Sequence, residues 1–269
     1  MTVITRIVVQ KNNKQRYSIF INRGQGEEYG FSVEEDVLIS QGLQKGLEID
    51  ENKLQQVLYE DQVRKAYNMA IQYLSYRLRT VKELTDYLHK KEYEADIITN
   101  VVDRIKQHGY VNDLEFAEMF VRTRMSTSDK GPIVIRQELL QKGVAEKWIE
   151  QSLQQYSFLD QVEKVLAIIR KKEKQTSKES KQQQKQKIFT YIIAKGFSRD
   201  SIETAWKQLE PDEEEKQKEK EALQFQGEKA LRKYKQYQGR EKNMKMKQWL
   251  YRKGFSVYDI DLFLEENKE

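Results

Sequence analysis

The sequence returns four times to one short turn. Lys91-Glu92-Tyr93, Lys142-Gly143-Val144, Lys195-Gly196-Phe197 and Lys253-Gly254-Phe255 sit in the same frame of apolar residues. Seven positions before each lysine stand Leu84, Ile135, Ile188 and Met246, and three before it Leu88, Leu139, Ile192 and Leu250. Seven after it are Ile98, Ile149, Ile202 and Ile260, and eleven after it Val102, Leu153, Trp206 and Leu264. The first two columns are one helical turn apart, so they line one face of a helix that ends at the Lys-Gly pair. Glycine there adopts the left-handed conformation that closes a helix, and the lysine complements the negative end of the dipole. The last two columns repeat the spacing on the next helix, whose starts carry cap residues: Ser198 in the third copy, Ser256 with Asp259 in the fourth. The third tripeptide residue lies in the tight turn, placed to wedge between the helices. Glu92 replaces glycine in the first copy, so that turn is expected to close differently.

A further apolar helix precedes each pair. It is carried by Ala66, Tyr67, Ala70, Ile71 and Leu74 in the first copy and by Phe116, Ala117, Phe120 and Val121 in the second. Val162, Val165, Leu166 and Ile169 carry it in the third, and Ala222, Phe225, Ala230, Leu231 and Tyr234 in the fourth. After the first comes Arg77-Leu78-Arg79 and a capping box at Thr80 and Glu83. Each unit is thus a three-helix motif of about fifty residues. The expected fold is mainly α: tandem three-helix repeats in an elongated, curved solenoid, with a small antiparallel β segment at the N-terminus. The expected divisions are 1–60 for an N-terminal cap, then repeats at 61–111, 112–157, 158–210 and 211–269. Helices packed about 8–10 Å apart predict an arc on the order of 60–100 Å long with one concave face.

The N-terminal segment reads as strands. Tyr17, Ile19 and Ile21 alternate with Ser18, Phe20 and Asn22, and the turn-forming run Asn22-Arg23-Gly24-Gln25-Gly26 leads to Tyr29 and Phe31. Val3 to Val9 supplies a first strand, and Ser32 with Glu35 has the spacing of a capping box ahead of a short helix. This segment is either a cap on the first helical unit or a binding domain of its own.

Composition narrows the function. Only 38% of the 269 residues are hydrophobic and 34% are charged, which suits a stack whose units cover one another better than one large globule. Two prolines leave few helix breakers. The absence of cysteine removes thiolate zinc sites and thiol nucleophiles. The two histidines, His89 and His108, read as helix-end residues, and the glycines form no phosphate-binding loop. An enzyme is not expected, nor a metal or cofactor. No run of eighteen apolar residues suggests a membrane span, and a cytoplasmic protein is expected.

Against 43 acidic residues there are 48 basic ones, a net charge of +5. In one basic stretch Arg170, Lys171, Lys172, Lys174, Lys178, Lys181, Lys185 and Lys187 face Glu173 and Glu179, and its Ser and Gln content reads as a flexible linker. In the other, Lys229, Arg232, Lys233, Lys235, Arg240, Lys242, Lys245, Lys247, Arg252 and Lys253 surround Glu241 and interleave with Tyr234, Tyr237 and Trp249. Cations beside aromatics can contact phosphates and stack on unpaired bases, which makes the second a candidate contact surface. The alternatives are a solvated face, or lysines that balance the acidic run Asp212 to Glu215.

The string Tyr73-Leu74-Ser75-Tyr76-Arg77-Leu78-Arg79-Thr80-Val81-Lys82-Glu83-Leu84 is followed by Gly109-Tyr110-Val111-Asn112-Asp113, Phe116-Ala117, Arg122, Arg124 and Leu139 to Val144. Together these resemble the RecX family of bacterial recombination regulators, and the small N-terminal sheet and fourth repeat resemble its longer, Gram-positive type members. The likeness covers essentially the whole chain. Asn112, where the family more often has Asp, and Glu92 are departures that bear on turn details. The resemblance implies a non-enzymatic regulator, monomeric and cytoplasmic, that binds the RecA recombinase. It implies lodging in the groove of the RecA filament on single-stranded DNA and restraint of filament growth, ATP hydrolysis and strand exchange in recombination and repair. Candidate contacts to the recombinase or to single- or double-stranded DNA are Arg77, Arg79, Arg122, Arg124, Lys229, Arg232, Lys233 and Lys235. The alternative is a stand-alone, sequence-independent DNA-binding helical protein.

Overall fold

The computed structural model describes residues 2–175, 179–209 and 213–267. Strands β1 (Thr2–Val9), β2 (Arg16–Asn22) and β3 (Glu27–Glu34) form an antiparallel meander, and β4 (Glu48–Ile49) pairs with the free edge of β1. Alternation buries Ile4, Ile19, Ile21, Phe31 and Val33 on one face. The β2–β3 turn is closed by Asn22, whose Oδ1 accepts from the backbone N–H of Gly24 at 2.7 Å and of Gly26 at 3.2 Å.

The expected capping box at Ser32 and Glu35 does not form. Ser32 pairs opposite Ser18 within β3, and its Oγ accepts from Gln10 at 3.0 Å. Helix α1 (Glu35–Ser40) begins later, after Glu34, whose N–H donates to Asp61 at 2.9 Å. Strand pairing outcompetes the local cap because it satisfies more of the same backbone groups.

Helix α2 (Glu51–Ser75) starts at Asp50, which accepts from the N–H of Lys53 at 2.7 Å. It serves two cores: Val57 packs under the sheet, and Val63, Ala66 and Ala70 pack in the first triplet. The division expected at 60/61 therefore falls inside one unbroken helix. Helices α3 (Val81–Lys90) and α4 (Ala95–Gln107) complete this triplet, and α5 (Asp113–Thr127), α6 (Pro132–Gln141) and α7 (Glu146–Leu153) make the second. The third is α8 (Phe158–Gln175), α9 (Lys181–Ala194) and α10 (Arg199–Gln208), and the fourth α11 (Glu213–Lys233), α12 (Gly239–Arg252) and α13 (Val257–Glu266). The junctions at 111/112 and 157/158 fall between helices; 210/211 lies outside the described residues. By contacts the chain divides into two units, Met1–Ala117 with Leu139–Ile149, and Glu118–Glu138 with Glu150–Glu269.

The columns read from the sequence are the cores of the triplets. Every member of the five columns is buried except Tyr93, Leu153 and Trp206, which are partly so. Caps follow suit: Thr80 and Glu83 form the full capping box of α3, Ser198 accepts from the N–H of Ser201, and Ser256 from that of Asp259. The linker expected between Arg170 and Lys187 is a helix on both sides of the undescribed residues 176–178, because α8 runs to Gln175 and α9 begins at Lys181. Ser180 accepts from the N–H of Gln183 as the cap of α9, a start signal inside what composition alone reads as linker.

The Lys-Gly turns have a second duty. In the first unit, Thr80 at the start of α3 donates its hydroxyl to the carbonyl of Lys142 at 2.8 Å. In the second unit, Gly131 ahead of α6 donates its N–H to the carbonyl of Lys195 at 2.7 Å, and Ile133 to that of Gly196 at 3.1 Å. Ser180, ahead of α9, donates to the carbonyl of Lys253. The middle helices α3, α6 and α9 therefore each start on the turn that ends the middle helix of the next triplet. The contact is too close for side chains. A Cβ on Gly143 would lie 2.5 Å from Lys82, on Gly196 2.6 Å from the backbone nitrogen of Val134, and on Gly254 2.8 Å from Ser180. The first turn closes like the rest, contrary to expectation: Glu92 itself takes φ +63°, and Tyr93 donates to Leu88 as Phe197 does to Ile192. Glu92 is exposed, so there the side chain costs only the left-handed backbone.

One charge cluster joins the first two triplets. Glu83 is bonded by Lys142 at 2.9 Å, by Arg77 at 3.2 Å and by the N–H of Thr80 at 3.3 Å. Burial alone would raise its carboxyl, but the bonds from Lys142, Arg77 and Thr80 outweigh that and hold it below the ordinary glutamate value of 4.5. A pKa lowered by folding stabilises above the unfolded value and is lost as pH falls through the folded one. The gap in melting temperature between wild type and Glu83→Gln should therefore be constant from pH 7 to about 5 and shrink below the ordinary carboxylate value. Circular dichroism melts across pH 3 to 7 check this; a gap unchanged with pH would exclude it.

Candidate contact surface

The eight cations singled out from sequence differ in how far the fold engages them. Arg77 and Arg79 lie in the turn after α2, in the first unit. Arg77 binds Glu83 and the carbonyl of Leu78. The guanidinium of Arg79 sits 4.1 Å over the ring of Tyr73, which stacks on Tyr87 with centroids 3.9 Å apart and planes 3° from parallel. That stack is a cation–π ladder that fixes the turn between α2 and α3. Arg79 is thereby turned onto its own fold.

On α5, Arg124 donates to Glu138 at 2.9 Å and lies 4.7 Å over Phe120. Glu138 also takes Lys130; these two cations outweigh the burial that would raise its carboxyl, and it lies below the ordinary glutamate value. Arg122 is exposed, and among the described residues its side chain reaches Gln155 alone, at 3.4 Å.

The remaining four gather at the end of α11. Lys229, Arg232 and Lys233 are spaced i, i+3, i+4 and share one side of the helix, with Lys235 just past its end. Lys229 lies 4.3 Å from the Phe225 ring centroid, and Lys233 lies 5.4 Å from Tyr234 and 5.6 Å from Trp249. Arg232 and Lys235 are exposed, and no ion pair or ring contact engages them among the described residues. Lys245 over Tyr237 at 4.4 Å and Lys253 over Trp249 at 5.3 Å extend the group along α12. The result is a basic, aromatic-backed surface on the fourth triplet, suited to phosphate or carboxylate partners. The acidic run Asp212 to Glu215, the candidate counterweight, lies outside the described side chains.

Sequence reading missed that the turn lysines lie against rings. Lys91 is over Tyr87, Lys142 over Phe116, Lys195 over Tyr191 and Lys253 over Trp249, at 5.1–5.8 Å. The signal was present one helical turn before the lysine, where Tyr87, Tyr191 and Trp249 stand; Glu138 occupies that place in the second copy. His108 caps the end of α4 and shares a 2.9 Å hydrogen bond with the hydroxyl of Tyr67. Among the described residues no cluster of His, Asp and Glu could hold a metal ion, and no helix is long and apolar enough to cross a membrane.

The chain is 48% identical over all 269 residues to proteins called regulatory protein RecX from Bacillus cereus and Bacillus anthracis, spanning 99% of their length. It belongs to the RecX family. The RecX N-terminal domain profile matches residues 2–50, and the first and second RecX three-helix domains match 66–104 and 112–153. The third RecX three-helix domain matches 217–264, which carry α11–α13, so α8–α10 lie between the second and third of these RecX domains. A crystal structure of regulatory protein RecX superimposes with a TM-score of 0.69 at 30% identity, covering 77% of this chain and all of that one. RecX from Lactobacillus salivarius gives a TM-score of 0.54 at 38% identity, over 56% of this chain and 97% of that one. Over the parts that superimpose, RecX regulatory proteins of solved structure thus share this fold.

Proposed function

We propose that this RecX protein is a cytoplasmic, monomeric negative modulator of the RecA recombinase. It binds in the groove of the RecA filament on single-stranded DNA and restrains filament growth, ATP hydrolysis and strand exchange. The observation that carries this reading is whole-length kinship with RecX regulatory proteins. Physical support comes from the tandem triplets: successive similar units engage successive similar protomers, and linked weak contacts multiply into avidity. The contacts are drawn from Arg77, Arg79, Arg122, Arg124, Lys229, Arg232, Lys233 and Lys235, with Arg232 and Lys235 foremost because their charge is not spent within the fold.

Substoichiometric protein should suppress the single-stranded-DNA-dependent ATPase and strand exchange of the cognate RecA. Arg232→Glu/Lys235→Glu should need on the order of tenfold more protein for the same suppression, the worth of one to two charge contacts. An ATPase unchanged by the wild-type protein would overturn the reading.

The fourth-triplet surface also favours a second reading, a stand-alone DNA-binding protein. That reading requires tight, steeply salt-dependent DNA binding without recombinase, with the slope reduced by about one for each phosphate-contacting lysine removed.

A further inference from the structure

Four helices of the second unit meet around a cavity of about 520 Å³ that the contact surface does not include. Among the described residues, Arg170 and Lys174 of α8, Lys181 and Lys185 of α9 and Lys218 of α11 bring five cations to its wall, against Glu173 and Glu219. Trp206 and Leu209 form the apolar side. Glu219 is committed to the fold: it accepts from the N–H of Lys181 at 2.8 Å, and burial raises its carboxyl above the ordinary glutamate value. The described wall is therefore mainly basic and includes a flat aromatic ring.

Trp206 is the exception within its own column. The equivalent residues are Val102, Leu153 and Leu264, which fill the core with carbon alone, whereas Trp206 brings an indole N–H. That N–H is buried and has no acceptor among the described residues. A buried donor without a partner is uncommon because desolvating it is unfavourable. The ammonium of Lys185 lies 5.2 Å from the ring centroid, and its side chain is exposed and free to swing.

We infer that this cavity binds a nucleoside phosphate, taken either as a unit of a single strand or as a free nucleotide. The phosphate is held by Lys174 and Lys185, the base lies against the apolar wall of Trp206 and Leu209, and the indole N–H donates to a ligand oxygen once Lys185 turns aside to the phosphate. The volume lies in the range of sites that enclose a small organic ligand, well beyond what one inorganic anion fills. Ring plus cations is the pairing that recognises a base and its phosphate together. An acidic peptide would use the cations and leave the ring face and the indole donor unread. The inference goes beyond the filament-regulator reading and does not depend on it, since it requires binding with no recombinase present.

The experiment is a ¹H–¹⁵N spectrum of the full chain, whose three tryptophans give three indole signals, with Trp206→Phe assigning one. Adding an oligothymidylate in one arm, or ADP in the other, should move the Trp206 signal downfield as its N–H gains an acceptor. Lys174→Glu/Lys185→Glu, at two exposed positions, should keep the dispersed spectrum of the folded chain and weaken that titration about tenfold or more. A response to the strand alone identifies a strand site, and a response to ADP identifies a free-nucleotide site. No shift with either ligand, an equal shift with polyglutamate, or a titration unaffected by the double variant would each overturn the inference.

Discussion

Replacing Gly196 by alanine should destabilise the second unit by about 3 kcal/mol or more. The backbone there has φ +88°, which costs an L-residue roughly 1–2 kcal/mol. The added Cβ would stand 2.6 Å from the backbone nitrogen of Val134, so relief requires moving α6 away from the turn. Overpacking of that kind costs about 1–3 kcal/mol, and it strains the bonds from Gly131 to Lys195 and from Ile133 to Gly196. Glu92→Gly supplies the contrast at the equivalent turn. At this exposed position, relief of the left-handed backbone and the added freedom of the unfolded chain nearly cancel, leaving a change within about 1 kcal/mol. Urea denaturation of both variants checks the pair. A Gly196→Ala midpoint within error of wild type would show that the turn is not a docking seat.

Asp61→Ala should cost the first unit about 3 kcal/mol, the penalty for leaving the N–H of Glu34 without its acceptor and the Arg16 guanidinium with Glu34 in place of two carboxylates. Asp61 is 3% exposed. It binds the guanidinium of Arg16 at 3.0 Å, Lys65 at 2.8 Å and the N–H of Glu34 at 2.9 Å. It thereby ties the end of β3 and the side chain of β2 to the middle of α2, the helix that serves both cores. The Arg16 guanidinium also holds Glu34 at 3.0 Å, so its removal takes one partner from each of two carboxylates. A double-mutant cycle over Arg16 and Asp61 should give a coupling of about 1–3 kcal/mol. Additive single effects would place the stability elsewhere.

Much of the helical architecture was legible because its determinants are local and repeated. A column such as Leu88, Leu139, Ile192 and Leu250 recurs at one spacing from a turn signal, and only one face of a helix satisfies that spacing. Thr80 with Glu83 and Ser256 with Asp259 announce helix starts within four residues. Ser32 with Glu35 shows where such signals fail: a pattern of the same form lost to strand pairing with β2, a partner the local window does not contain. The basic stretch around Arg170 read as linker because composition outweighed the cap at Ser180.

The candidate surface was legible only as a set of charges. Arg77, Arg79 and Arg124 looked as free in sequence as Arg232 and Lys235. What separates them is whether a carboxylate or ring from another element stands within reach, as Glu83, Tyr73 and Glu138 do. The cavity at Trp206 was hidden for the same reason, since it assembles from α8, α9, α10 and α11.

By itself, then, the sequence determined the repeat, the helix faces and the basic character of the last triplet, because periodicity and charge are properties of the chain. Tertiary structure decided what the glycines are for. Left-handed backbone can be served by glycine or, as Glu92 shows, by another residue. The need for no side chain at all at Gly143, Gly196 and Gly254 arises only where the neighbouring triplet sets the start of a helix against the turn.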